Sequence, residues 1–261
     1  MARAFDGIDD VVDAGDLAEF DNISALTVAY WFYYVTATTY DWHVSKVLAS
    51  GADGWGILTS DPSNDLYILA RNGDNTQSAV TTSGVLTTGT WHRIVYVFDG
   101  SLVGNSERLK LFVNGTQGTL TFNGGAVPAT IGATTASVLV GGPPPGNNFP
   151  KCRMAYVFVW IAALSIAEAE MALRTGRARR SELFYAMLSS ASPEPDFSGN
   201  VRNGTVTGTT IVDNPPAVGP IFGFDVGWEG EFTPGGPTVP QFMPSMWHLA
   251  ASGGIIGTLW R

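Results

Sequence analysis

Trp91-His92-Arg93-Ile94-Val95-Tyr96-Val97-Phe98-Asp99 decides how the rest of the chain is read. After the polar His92 and Arg93, Ile94 through Phe98 are apolar without a break, as expected of a strand that dives between two packed layers. Leu109-Lys110-Leu111-Phe112-Val113 follows and ends in Asn114-Gly115. Both residues of that pair accept positive φ, so it favours a tight primed turn and predicts a hairpin partner at Gly118–Phe122. Outward from this centre, similar runs lie at Ala25–Val35, Val44–Ala49, Trp55–Ser60, Leu66–Arg71, Ser78–Thr82, Ser137–Gly141 and Cys152–Ala162. They are rich in Val, Ile, Thr, Tyr, Phe and Trp, and Gly, Asn, Asp and Ser clusters separate them at roughly ten-residue spacing. The pattern predicts about ten strands in an antiparallel two-sheet sandwich.

Composition agrees. Among 261 residues there are 31 Gly and 15 Pro, too many breakers for a helical bundle. Charged residues make up 14% and hydrophobic ones 45%, which excludes a disordered polyanion. With 14 Lys and Arg against 23 Asp and Glu, the net charge is −9, so no cationic surplus exists to neutralise phosphates. Neither nucleic acid nor an anionic membrane surface is an expected partner. The longest apolar-rich run, Ala155 to Ala163, is far short of the roughly 18 residues that would mark a membrane span, so no insertion is expected. Met1-Ala2-Arg3-Ala4-Phe5-Asp6-Gly7 lacks a basic region followed by an apolar one, so no secretory signal is read there. Cys152 is the single cysteine; it excludes an intramolecular disulfide and is expected to be a buried hydrophobe.

Two segments read as helices. Ser165-Ile166-Ala167-Glu168 is a capping box, and Gly176 supplies the stop. Arg179 to Ser189 places Leu183, Phe184, Met187 and Leu188 at helical spacing. A Thr/Val strand from Gly204 to Val212 then closes a domain of residues 1–216. Residues 217–261 form a Gly/Pro-rich yet apolar arm with Phe222, Phe224, Trp228, Phe232, Phe242, Trp247 and Trp260 against four charged residues. Such a surface requires cover, by this domain or by another subunit, and those seven aromatics are the expected contacts.

The order Phe5-Asp6-Gly7-Ile8-Asp9-Asp10, Trp91-His92-Arg93 and Leu109 through Val113-Asn114-Gly115 resembles the laminin-G-like, concanavalin A-like superfamily. The short helix after a long strand and Asp196-Phe197-Ser198-Gly199-Asn200 with Asn203-Gly204-Thr205 are similar too. In many relatives that last motif precedes the opening strand, so its place here suggests a rotated order in which the final strand pairs near the first. The resemblance spans roughly residues 3 to 214. It implies an all-β jelly roll with two short helices and an extended C-terminal arm. It also implies that calcium is common in the family.

The candidate chemistry is modest. Asp6, Asp9, Asp10, Asp13, Asp16, Glu19 and Asp21 crowd the first twenty-one residues. They are hard oxygen ligands of the kind calcium takes, with Asp6 and Asp9 the expected contributors and Asp196 a third if the last strand returns beside the first. A glycosidase needs two carboxylates flanking a cleft, and no strand carries an alternating Glu/Asp set, so no catalytic residues are expected. His43, His92 and His248 are too scattered for a zinc signature. Carbohydrate binding needs an aromatic platform beside amides or carboxylates; Tyr40, Trp42, Trp55, Asn72 and Asp74 are the candidates.

Lectin-like relatives are usually secreted, and a chain without an export segment suits assembly in a bacterial cytoplasm. The expected function is a non-enzymatic virion surface protein of a tailed phage, a capsid decoration or fibre component. It would be held to other virion subunits or to itself by the arm, and would grip a cell-surface glycan through exposed loops. The alternative is a stand-alone, extracellular carbohydrate-binding module; a glycoside hydrolase is less expected.

Overall fold

The computed structural model describes residues 1–213 and 215, apart from 37–39, 49–50, 61–63, 75, 82–83, 143–147, 178–180 and 188–191. The seven arm aromatics lie outside the described residues. In chain order the strands are β1 (Ala2–Asp6), β2 (Val11–Asp13), β3 (Ala25–Thr36), β4 (Asp41–Val47), β5 (Gly54–Ser60) and β6 (Asp65–Arg71). Next come β7 (Ser78–Thr81), β8 (Trp91–Asp99), β9 (Leu109–Val113), β10 (Thr116–Gln117), β11 (Leu120–Asn123) and β12 (Leu139–Val140). The last are β13 (Lys151–Trp160), β14 (Leu183–Tyr185), β15 (Thr205–Thr207) and β16 (Thr210–Val212). Helices α1 (Asn105–Arg108) and α2 (Ile166–Thr175) accompany them.

The strands form two 8-stranded antiparallel sheets. The first runs β10-β9-β8-β3-β13-β1-β16, with β14 added to β13; the second runs β11-β7-β6-β5-β4-β12-β2-β15. The deciding stretch, β8, sits inside the first sheet between β9 and β3. Tyr30, Phe32, Tyr96, Phe98 and Leu111 of that sheet share one buried core with Val44, Trp55, Ile57 and Ile68 of the second. On the opposite face of the first sheet, Trp31, Val95, Phe158 and Phe184 pack with Ala169, Ala172 and Leu173 of α2. The Trp31 indole N–H donates to the Leu173 carbonyl at 2.9 Å and pins the helix there. Cys152 is buried within the inter-sheet core, as expected.

α2 begins and ends as its sequence dictates. Ser165 Oγ accepts from the Glu168 amide while the Glu168 carboxylate accepts from the Ser165 amide, and Gly176 closes the helix at φ +61°. The second predicted helix is a correction: Leu183, Phe184 and Tyr185 form β14 on the C-terminal half of β13. Leu183 and Tyr185 enter the inter-sheet core, whereas Phe184 turns outward onto Phe158, its ring centroid 4.1 Å away. That is a two-residue alternation, and a sheet edge at Val157–Val159 is available to pair with it.

Two further predictions shift. Asn114 and Gly115 do adopt φ of +54° and +85°, but their hairpin partner is β10, and the chain then crosses so that β11 joins β7 in the second sheet. The single closing strand divides at Gly208 (φ +73°) into β15 on the second sheet and β16 on the first. β16 pairs with β1, Val212 opposite Ala2, which is the predicted return of the last strand to the first.

Candidate functional site

The site follows from which way each strand residue faces. In β6, Leu66, Ile68 and Ala70 point into the core, so Tyr67, Leu69 and Arg71 share the opposite, outer face of the second sheet. In β5, Trp55 and Ile57 point inward, which leaves Gly54, Gly56 and Leu58 outward. Register aligns Trp42 with Leu58 and Tyr67 in one row, and Gly56 with Leu69 and Ser78 in the next. Gly54 lies opposite Arg71 in the row after that.

Two outward glycines therefore leave a trough along β5. The Trp42 indole lies across it; a Cβ at Gly56 would come within 2.8 Å of its Cζ3. Absence of a side chain at Gly56 is what lets the ring lie down. The resulting cleft has a volume of ≈ 340 Å³. Leu58 and Leu69 form its floor, while Tyr40, Trp42, Tyr67, Arg71, Ser78 and Asn148 complete the lining. Tyr40 is 45% exposed and meets Tyr67 edge-on, ring centroids 5.9 Å apart. Its φ of +66° is a left-handed conformation that a bulky residue adopts only under constraint, a local strain of about 1 kcal/mol or more.

Among the described lining residues there is no carboxylate, and Arg71 supplies the positive charge. Its Nη1 donates to the Gly51 carbonyl at 2.8 Å and its Nε to the Gln77 carbonyl at 3.4 Å. Burial pulls the Arg71 pKa down, opposed by the nearby Asp74 charge. Burial chiefly, with the Tyr40 and Asp65 charges behind it, raises the Tyr67 phenol, so this hydroxyl stays protonated and able to donate.

Tyr40 and Trp42 thus meet as the sequence suggested, and Tyr67, Arg71, Ser78 and Asn148 join them. Trp55 does not: it is 0% exposed and stands edge-on to Phe20 in the core, out of reach of any ligand. Its position between two outward glycines makes it an inward residue. Asn72 and Asp74 are not in the cleft lining. Asn72 Nδ2 donates to the Thr130 carbonyl, and Asp74 accepts from the Thr76 amide and hydroxyl, so both fasten the turn beyond β6. The alternation Leu66-Tyr67-Ile68-Leu69-Ala70-Arg71 was the signal that identifies Tyr67 and Arg71.

The acidic N-terminus also differs from expectation. Oxygens of Asp6, Asp9 and Asp10 lie within 4.8 Å of one another, because the chain bends at Gly7 (φ +87°) instead of continuing as a strand. Asp196 is not in that group. Its Oδ1 accepts from the Phe184 and Ser198 amides and its Oδ2 from the Ser198 hydroxyl and the Arg202 amide. Those four bonds fill the acceptor capacity of a carboxylate, and Asp196 serves to hold the turn after β14. Three carboxylates with no nitrogen or sulfur ligand fit a hard divalent cation in kind, although calcium takes six to eight oxygens.

A different cation site is already filled. Lys46 is 0% exposed, and its ammonium donates to Asp16 Oδ1 and Asp21 Oδ1 at 2.9 Å and to the Thr134 carbonyl. His43 is buried without charge: it stacks on Phe32 at 4.0 Å, and burial lowers its pKa to about 3.

A family model for the concanavalin A-like lectin/glucanases superfamily matches residues 6–170. The chain belongs to that superfamily. No curated protein matches the sequence. Among solved structures, a proposed carbohydrate binding protein from Bacteroides ovatus aligns at a TM-score of 0.61 with 16% identity, covering 84% of this chain and 62% of that one. This superfamily member therefore spans less than two thirds of that relative's length. The CBM40 of the Ruminococcus gnavus IT-sialidase aligns at 0.47 with 14% identity, over 65% of this chain and 95% of that one. A heptameric SAP-like pentraxin from Limulus polyphemus aligns at 0.44 with 14% identity, over 66% and 80% respectively. Among the described residues, no helix is long and apolar enough to cross a membrane.

Proposed function

We propose that this chain is a non-catalytic carbohydrate-binding module whose ligand lies in the cleft on the outer face of the second sheet. The carrying observation is the lining itself: three aromatic rings, Tyr40, Trp42 and Tyr67, around a glycine-made trough with Ser78 and Asn148 beside them. Aromatic faces pack on the apolar faces of sugar rings while neutral polar groups take up hydroxyls. The absence of carboxylates among the described lining residues argues for binding over hydrolysis, which needs a flanking pair. The membership in a lectin and glucanase superfamily and the Bacteroides ovatus likeness support the same reading.

The test is titration of the full chain against an oligosaccharide panel, beside Trp42→Ala. Loss of the indole is expected to weaken binding about tenfold or more, a cost of at least about 1.4 kcal/mol. No binding across the panel overturns the proposal. Release of reducing sugar from any panel member overturns its non-catalytic part.

The sequence of residues 217–261 favours an assembly role on top of this one. Seven large aromatics against four charges suit a segment that anchors the module to another subunit, as on a tailed-phage virion surface or another extracellular scaffold. Asp6, Asp9 and Asp10 would hold a structural calcium in this reading.

A further inference from the structure

We infer that the cleft selects saccharides that carry a carboxylate, and that Arg71 reads it. This rests on the carbohydrate-binding proposal and names the ligand class for that same cleft. The Arg71 guanidinium is oriented by two neutral acceptors, the Gly51 and Gln77 carbonyls, and forms no ion pair among the described residues. Its Nη2 has no hydrogen-bond partner among them. Asp74, the carboxylate whose charge it senses, is engaged with the Thr76 amide and hydroxyl. Two of the fork's nitrogens are thus spent on fixing its direction, while its charge is left without a bonded counter-ion. A ligand carboxylate supplies that counter-ion and a charge-assisted bond, roughly twice as strong as a neutral one.

Placement fits an extended ligand. Tyr67 and Arg71 lie on one face of β6 four residues apart, about 13 Å at strand rise. A sugar packed on Trp42 and Tyr67 leaves room for a neighbouring acidic unit at Arg71. Leu69 and Ser78, in the row between, line the path. The protein's net charge of −9 opposes an anionic ligand only at long range. Charges more than about 8 Å away are largely screened at physiological ionic strength, so the direct contact decides.

The experiment compares matched ligands on the full chain by calorimetry: oligosaccharides containing uronic or sialic acid, each beside its carboxyl methyl ester. The acid is expected to bind at least tenfold more tightly than the ester at low salt, with the ratio shrinking as sodium chloride rises. In Arg71→Gln the acid-to-ester ratio is expected to fall toward one, and Arg71→Lys to keep part of it. Thermal unfolding of each variant separates loss of preference from loss of fold. Equal affinity of acid and ester for the parent chain overturns the inference while leaving carbohydrate binding intact. Binding of neither overturns both.

Discussion

Burial of the Asp10 carboxylate, with the charges of Asp6 and Asp9 beside it, raises its pKa above the ordinary aspartate range, although a bond from the Asp6 amide pulls the other way. The folded chain therefore holds a proton there at pH values where the unfolded chain has lost it. Stability conferred by that proton falls as pH rises from the ordinary aspartate pKa through the raised one, and remains lower above it. Asp10→Asn keeps an acceptor for the Asp6 amide and removes the charge. In chelator-treated, calcium-free solution it is expected to melt at a higher temperature than the parent at pH 7, the gap closing in acid; melting curves across pH check this. Lys46→Met should act in the opposite sense. It leaves Asp21 and the Thr134 carbonyl without their cation and costs about 3 kcal/mol in chemical denaturation, the low side for a buried pair because Asp16 stays half in water. The sequence exposed part of the cleft at this scale. Tyr40 and Trp42 were visible as a local aromatic cluster. Tyr67 and Arg71 become visible only when strand direction is known, and Trp55 was misjudged because one residue of phase separates a ligand platform from a core anchor.

Elements with complete local signals were legible in advance. α2 carries both a capping box and a terminal glycine, so its limits follow from hydrogen-bonding chemistry alone. Ser165→Ala is expected to lose about 1 kcal/mol, measurable as a lowered denaturation midpoint at unchanged slope. β8 and the Asn114-Gly115 turn were equally clear. β14 was not, because Leu183 and Phe184, which satisfy helical spacing with Met187 and Leu188, also satisfy alternation with Tyr185, and only the free edge of β13 decides between the two. The division of the closing segment into β15 and β16 has the same cause: its pairing partners lie some two hundred residues away, at β2 and β1.

For the whole molecule, the two-sheet architecture was readable from strand spacing, since any antiparallel set of this length must bury one face of each sheet against the other. Assembly is the property that the folded body leaves open. If residues 217–261 bind a neighbour, the full chain is expected to show a mass above that of a monomer by light scattering. Trp228, Trp247 and Trp260 changed together to Ser should return it to monomer without altering the melting of the sandwich. A parent chain that is monomeric at all accessible concentrations overturns self-association.

The pairing of β16 with β1 brings Val212 opposite Ala2, so the jelly roll's entry and exit points are neighbours on one sheet. Arg3, two residues in, donates from Nε and Nη2 to the fully buried Glu194 carboxylate and from Nη1 to the Thr209 hydroxyl, tying the same junction together. A body built this way sends both of its connections out from neighbouring strands. It can be spliced into the loop of a host polypeptide, or have its old ends joined and new ones cut elsewhere, without either connection having to span the fold.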